Sequence, residues 1–193
     1  MTRSVVLASA SPRRRELLEN IGLKFTVDPV EIPEVMTTGL KPVGLAKALS
    51  LHKAQAAASR HTGSIIIAAD TFGVLDGVIL GKPVDAGHAR RMLKELSGRR
   101  HSVITGFTVI DSATGRAVSR AVETGVYFRK LGRSEIARYV ETGEPLDKAG
   151  AYAIQGLGAL LVAKIEGDYY NVMGLPLCAL ASVLRRFDIT LPA

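Results

Sequence analysis

Apolar residues fall along the chain in short blocks parted by turn-forming residues, and the spacing within each block predicts its element. Ser4 to Ser9 carries Val5-Val6-Leu7-Ala8 and reads as a first buried strand. Ser11-Pro12 then opens a helix, with Ser11 at the N-cap and Pro12 at the first helical position. Leu17, Leu18 and Ile21 give that helix an apolar face, and Gly22 ends it. Phe25 to Val30 predicts a second strand, followed by an acidic loop at Glu31 and Glu34 and a long helix from Val43 to Arg60. Ser64 to Ala69 is apolar and β-branched, as a central strand buried on both faces should be, and it is expected to end at Asp70. Thr71 to Leu80 predicts a hairpin, because Asp76-Gly77 signals a type I′ turn between two apolar runs. Asp85 caps a helix that ends at Gly98. His101 to Ile110 and Ala117 to Arg129 are strands joined by the turn-rich Asp111 to Gly115. Ser134 and Gly143 bracket a short helix, Leu160 to Ile165 is a late strand, and Pro176 opens a last helix over Leu175 to Phe187. Strands and helices alternate while hairpins interrupt them, so the expectation is an α/β fold with a mixed sheet.

Composition narrows the class. Of 193 residues, 47% are hydrophobic and 22% charged, the balance of a globular chain. No repeat, low-complexity segment or long linker divides it, which favours one domain over 1–193. The single cysteine, Cys178, excludes an internal disulfide framework and a multi-cysteine zinc site, and suits a reducing cytoplasm. The apolar runs Ile65 to Ala69 and Ala159 to Ala163 are far short of the ~20 residues that span a bilayer. Val5 to Ala10 is too short for a signal peptide, and the Arg13-Arg14 pair lacks the apolar block of a twin-Arg export signal. The expected location is the cytoplasm. The net charge of +7 favours anionic partners without choosing between nucleic acid, phosphorylated metabolites and an acidic membrane face.

The candidate chemistry starts at Pro12-Arg13-Arg14-Arg15. A helix N-terminus is already positive, so three arginines in its first turn are unfavourable unless an anion sits there. Free amides and guanidinium forks make a phosphate site; the plain alternative is a solvated basic turn. Asp70, at the end of an apolar strand, would activate water or hold a divalent metal, or else bond turn amides. Glu34 is a possible second metal carboxylate or part of a solvated acidic loop. Lys53 and Lys82 are phosphate contacts or solvated lysines. Gly81-Lys82-Pro83 is not a P-loop, since Pro83 stands where a Ser or Thr would ligate magnesium. His52, His61, His88 and His101 show no metal spacing and are read as surface or structural. The glycines of Gly143 to Gly156 would let backbone approach a ligand, and Gln155 suits the amide edge of a base; a structural loop is the alternative.

Taken in order, Leu7-Ala8-Ser9-Ala10-Ser11-Pro12-Arg13-Arg14, Ala69-Asp70-Thr71, Gly81-Lys82-Pro83, Leu96-Ser97-Gly98 with His101, the Gly143 to Gly156 segment and Asn171-Val172-Met173-Gly174-Leu175-Pro176-Leu177 resemble the Maf family of nucleotide pyrophosphatases. The resemblance implies a two-lobed fold related to the inosine triphosphate pyrophosphatases, with a long mixed sheet and a central cleft, commonly as a homodimer. It implies hydrolysis of a nucleoside triphosphate between the α and β phosphates with a divalent cation, magnesium or manganese. By resemblance Asp70 is the base, Glu34 and Asp70 face the metal, and Arg13, Lys53, Lys82 and Ser9 meet the substrate. Arg13, Thr71 and Gln155 match the specificity positions of the branch acting on dTTP and UTP, its sister branch acting on 7-methyl-GTP. Ile32-Pro33-Glu34 and Phe72-Gly73 depart from the family pattern, the first at the metal position and the second at the pocket floor. No membrane partner and no stable nucleic-acid partner are expected. The competing readings are a basic nucleic-acid-binding or cell-division interaction protein, and a same-fold enzyme acting on purines such as inosine triphosphate.

Overall fold

The computed structural model describes residues 3–30 and 39–191. In chain order its elements are β1 (Val5–Leu7), α1 (Pro12–Asn20), β2 (Thr26–Val27), α2 (Pro42–Ala58), β3 (Ile65–Leu75), β4 (Val78–Leu80), α3 (Ala86–Leu96), β5 (Arg100–Asp111), β6 (Ala117–Phe128), α4 (Arg133–Glu141), β7 (Val162–Glu166), α5 (Tyr169–Met173) and α6 (Leu177–Leu184). Three short 3-10 turns, Glu144–Asp147, Ala149–Ala151 and Gly156–Leu161, lie between α4 and β7. The strands form a seven-stranded sheet in the order β2-β1-β3-β5-β6-β7, with β4 paired to β3. β1 runs parallel to β2 and β3, whereas β4 is antiparallel to β3 and β7 to β6, so the sheet is mixed as expected.

Three boundaries differ from the sequence reading for physical reasons. β3 does not end at Asp70 but continues to Leu75, because pairing with β4 (Gly73 opposite Leu80) satisfies the backbone beyond the apolar run. The expected turn closes that hairpin: Asp76 and Gly77 both have positive φ, 50° and 81°, as a type I′ turn requires. The late strand starts at Val162 rather than Leu160, since the residues before it wind into the 3-10 turn. Similarly, α6 starts at Leu177, with Pro176 in extended backbone at its N-cap.

The chain divides into two compact units, one of Met1–Asp70, Thr105–Val122 and Gly174–Ala193, the other of Thr71–Ile104 and Glu123–Met173. In the first unit α2 lies against the sheet. Leu45, Ala46, Leu49, Ser50, Ala54 and Ala57 form its buried stripe. A Cβ on Gly106 of β5 would lie 2.0 Å from the Ala46 carbonyl oxygen, so helix and strand meet backbone to backbone at that point. Ser50 adds a polar link. Its hydroxyl donates to the Lys47 carbonyl (2.9 Å), which leaves it an acceptor for Thr108 (2.9 Å), itself 2.8 Å from the Ser119 hydroxyl on β6.

The second unit has its own core, built on Leu93, Leu96, Val126, Phe128, Ile136 and Tyr152. His101 is buried in it, 2.8 Å through Nε2 from the Tyr152 hydroxyl and edge-on to Phe128. It is structural, as the sequence reading expected. Burial, with Arg100 adding its charge, pushes its pKa from 6.5 down to about 4. The unfolded chain therefore binds a proton that the folded chain refuses between those two values. Stability from the neutral ring is complete above about pH 6.5 and is lost as the pH falls towards about 4, to the extent of roughly 3 kcal/mol. Urea titrations over this range should show that slope in the parent and lose it in His101→Phe; equal slopes would contradict the assignment.

Candidate active site

The parallel register sets the site in the first unit. Leu7 lies beside Ile67, and the Ala8 amide continues the ladder to the Ile67 carbonyl at 2.8 Å. The chain therefore leaves β1 at Ser9 as β3 approaches Asp70, just past the carboxyl end of β1 and of the stretch of β3 that pairs with it, the side of a parallel pair on which α/β sheets hold ligands. The same turn feeds α1. Ser11 occupies its N-cap and Pro12 its first turn, as expected, but the Ser11 hydroxyl makes no capping bond and the first turn holds no acidic residue.

Asp70 is half-buried and ion-paired through Oδ1 with the Lys53 ammonium. Lys53 follows Ser50 and Leu49 by three and four positions, so it continues the stripe of α2 that faces the sheet. A cation on a buried stripe needs a partner, and Asp70 is that partner. The contacts at Gly106 and Ser50 fix the helix that presents it.

Arg14 is the residue the sequence reading left unassigned. Its Nε donates to the Gly174 carbonyl (2.8 Å) and its Nη1 to the Ser9 hydroxyl (3.1 Å), which also accepts the Ser11 amide (3.3 Å). Desolvation lowers its pKa to about 10, with the Asp70 charge opposing that fall and Arg13 adding to it. Arg14 thus stays charged at neutral pH and ties the turn after β1 to the segment before α6. The signal was available: Arg14 precedes Leu17 and Leu18 by three and four positions, so it shares their buried face, while Arg15 is exposed. Ser9 is occupied as an acceptor for Arg14 and Ser11. The structure thus brings Ser9, Arg13, Arg14, Lys53 and Asp70 together.

Thr71, Lys82 and Gln155 belong to the second unit. Thr71 follows Asp70 on β3 and is half-buried. Lys82 is exposed just after β4, and the neighbouring Gly81 carbonyl accepts the Gly150 amide at 3.0 Å, tying Lys82 to the loop that carries Gln155. Gln155 sits at the N-cap of the Gly156–Leu161 turn without capping it. The Phe72-Gly73 departure has a packing reason: Phe72 is buried, and a Cβ on Gly73 would press to 3.2 Å from the Leu80 side chain opposite.

Glu34, with the Ile32-Pro33-Glu34 departure, lies outside the described residues. Among the described residues no three His, Cys, Asp or Glu side chains gather as a metal cluster. Of the described residues gathered there, Asp70 offers a hard carboxylate, and one such oxygen fits a magnesium-type ion whose remaining ligands are phosphate and water.

Residues 4–187 match the Maf-like protein family. The chain belongs to the Maf family. Among Maf relatives, it is 52% identical to the dTTP/UTP pyrophosphatase of Citrifermentans bemidjiense over 94% of each chain. It is 51% identical to the dTTP/UTP pyrophosphatase of Moorella thermoacetica, over 96% of this chain and 95% of the relative. The solved Ham1 protein of Staphylococcus aureus, at 15% identity, shares the fold with a TM-score of 0.56 over 95% of this chain and 99% of its own. Among the described residues no helix is long and apolar enough to cross a membrane.

Proposed function

We propose that this chain is a nucleoside triphosphate pyrophosphatase that cleaves dTTP and UTP, or modified pyrimidine nucleotides, between the α and β phosphates. The observation that carries the reading is Asp70 at the end of the apolar run of β3, paired with Lys53 and facing the arginine-headed start of α1. A base and a set of anion-binding cations are what phosphoanhydride hydrolysis needs in one place. The names of the relatives, dTTP/UTP pyrophosphatase, support the choice of substrate.

In the resting protein Lys53 occupies one oxygen of Asp70. A triphosphate carries more negative charge than one carboxylate and competes for that ammonium. Lys53 moves to phosphate, and the freed Asp70 oxygen takes a proton from water as the water oxygen attacks the α-phosphorus. The bond to the bridging oxygen breaks, and pyrophosphate leaves. Arg14, held by Ser9 and Gly174, keeps its charge beside Asp70 throughout, while Arg13 binds phosphate. A divalent cation, magnesium or manganese, would be held by Asp70 with Glu34 and supplies charge neutralisation on the phosphates. Thr71, Lys82 and Gln155 keep the substrate-binding and specificity roles that the family resemblance gives them. The protein acts in the cytoplasm as a homodimer, which light scattering tests as twice the chain mass.

Pyrophosphate release from dTTP, UTP, CTP, ITP and 7-methyl-GTP tests the reading. dTTP and UTP are expected to react fastest, with EDTA abolishing release and magnesium or manganese restoring it. Faster turnover of ITP or 7-methyl-GTP overturns the pyrimidine preference. No release from any of them, with salt-dependent oligonucleotide binding, overturns the enzyme. Arg13→Ala should raise KM for dTTP by about tenfold. An unchanged KM and rate remove Arg13 from the site.

A further inference from the structure

We infer that Glu144 is a positioning residue for substrate selection, holding Gln155 in place by clamping the backbone on both sides of it. The inference rests on the proposal that Gln155 meets the nucleotide.

Glu144 opens the first 3-10 turn after α4 and is half-buried. Its Oε1 accepts the Tyr139 hydroxyl (2.9 Å) and the Gly158 amide (2.9 Å), and its Oε2 accepts the Leu157 amide (3.1 Å). The Tyr139 oxygen in turn accepts the Ala153 amide at 3.3 Å. Backbone is therefore pinned two residues before Gln155 and two and three residues after it. Burial, and then the bond to Glu144, push the Tyr139 pKa upward, so the phenol remains a donor to the carboxylate.

The Leu157 and Gly158 amides are the orphan donors of the turn that Gln155 opens. An N-cap side chain ordinarily accepts such amides, but the Gln155 side chain does not. Glu144 performs that capping from eleven positions upstream, which spares the Gln155 amide for another partner. The closure leaves no slack. A Cβ on Gly158 would lie 2.1 Å from the Ala153 carbonyl oxygen and 2.7 Å from the Tyr139 hydroxyl, and one on Gly156 would lie 2.7 Å from Glu144 Oε2. Only glycine fits at these two positions, and Gly156 also needs its positive φ of 71°. Two of the three bonds described for this carboxylate go to the turn that Gln155 opens and the third to the phenol that holds Ala153, so the side chain between these anchors is Gln155.

Glu144→Gln tests this with little change of volume. One acceptor oxygen becomes an NH2 that meets a backbone N–H, so the clamp opens on one side. Steady-state kinetics with dTTP and 7-methyl-GTP should show KM for dTTP raised about tenfold, kcat nearly unchanged, and the preference for dTTP reduced. Gln155→Ala is the reference variant. If it weakens the preference while Glu144→Gln leaves KM and preference intact, the inference is overturned and the reading of Gln155 stands. If Gln155→Ala itself changes nothing, the reading of Gln155 falls and the inference with it. In the double variant the two losses should not add, because both act through one side chain; full additivity overturns the inference. Should Glu144→Gln fail to fold, Tyr139→Phe removes the phenol's bonds to Glu144 and from the Ala153 amide while leaving the Glu144 bonds to Leu157 and Gly158. A smaller rise in KM is then expected, and an unchanged KM counts against the clamp.

Discussion

Asp70→Asn is expected to lower pyrophosphate release from dTTP by about 10²- to 10⁴-fold, the usual contribution of a positioned general base. The amide is almost the size of the carboxylate, so packing at this point of β3 is preserved while the proton acceptor is lost. Binding should survive. Lys53, deprived of its carboxylate partner, is left as a cation looking for an anion, so the variant should hold dTTP at least as tightly as the parent. Titration calorimetry measures this directly on a nucleotide that the variant barely consumes. Release at the parental rate removes Asp70 as the base. Loss of binding together with turnover would make Asp70 a binding or folding residue instead.

The second large effect is on stability. Gly106→Ala would place its Cβ 2.0 Å from the Ala46 carbonyl oxygen and 2.8 Å from the Lys47 amide nitrogen. Neither is a side chain that can swing away, so α2 has to move as a body or the strand has to bend. Overpacking of this kind costs about 3 kcal/mol or more. The unfolding free energy from urea titration should fall by that amount, or the variant should not fold at all. Gly81→Ala is the control, because nothing lies within 4 Å of its Cβ, and its unfolding free energy should stay within about 0.5 kcal/mol of the parent's. If Gly106→Ala folds, displacement of α2 should also separate Lys53 from Asp70 and lower activity. A midpoint unchanged from the parent would mean that α2 is not held by this contact.

Periodicity carried most of the architecture. The run Ile65-Ile66-Ile67-Ala68-Ala69 announces a strand buried on both faces, and Asp76-Gly77 announces its hairpin turn. What periodicity could not show is that β3 runs through Asp70. A polar residue at the end of an apolar run resembles a strand terminus, and only pairing with β4 reveals the continuation. α5 escaped because five residues, with Tyr169 and Tyr170 exposed, carry no apolar face; its signal was Asp168, whose side chain accepts the Asn171 amide at 3.1 Å. At the site, chemistry was legible and placement was not. Charge density pointed to the arginines of α1, yet which one turns inward depends on alignment with Leu17 and Leu18, and that is Arg14. Lys53 read as a phosphate contact or a solvated lysine, and only the stripe of α2 shows it against Asp70. The Glu144 clamp joins positions too far apart in sequence for any local pattern to connect them.

In the proposed reaction, water activated at Asp70 attacks the α-phosphorus. Reaction of dTTP in 18O-labelled water, read by mass spectrometry of the products, tests it most directly. One labelled oxygen in thymidine monophosphate and unlabelled pyrophosphate in equal amount are expected, both formed about 10²- to 10⁴-fold more slowly by Asp70→Asn. Label appearing in pyrophosphate, or the formation of thymidine diphosphate and phosphate, would contradict it.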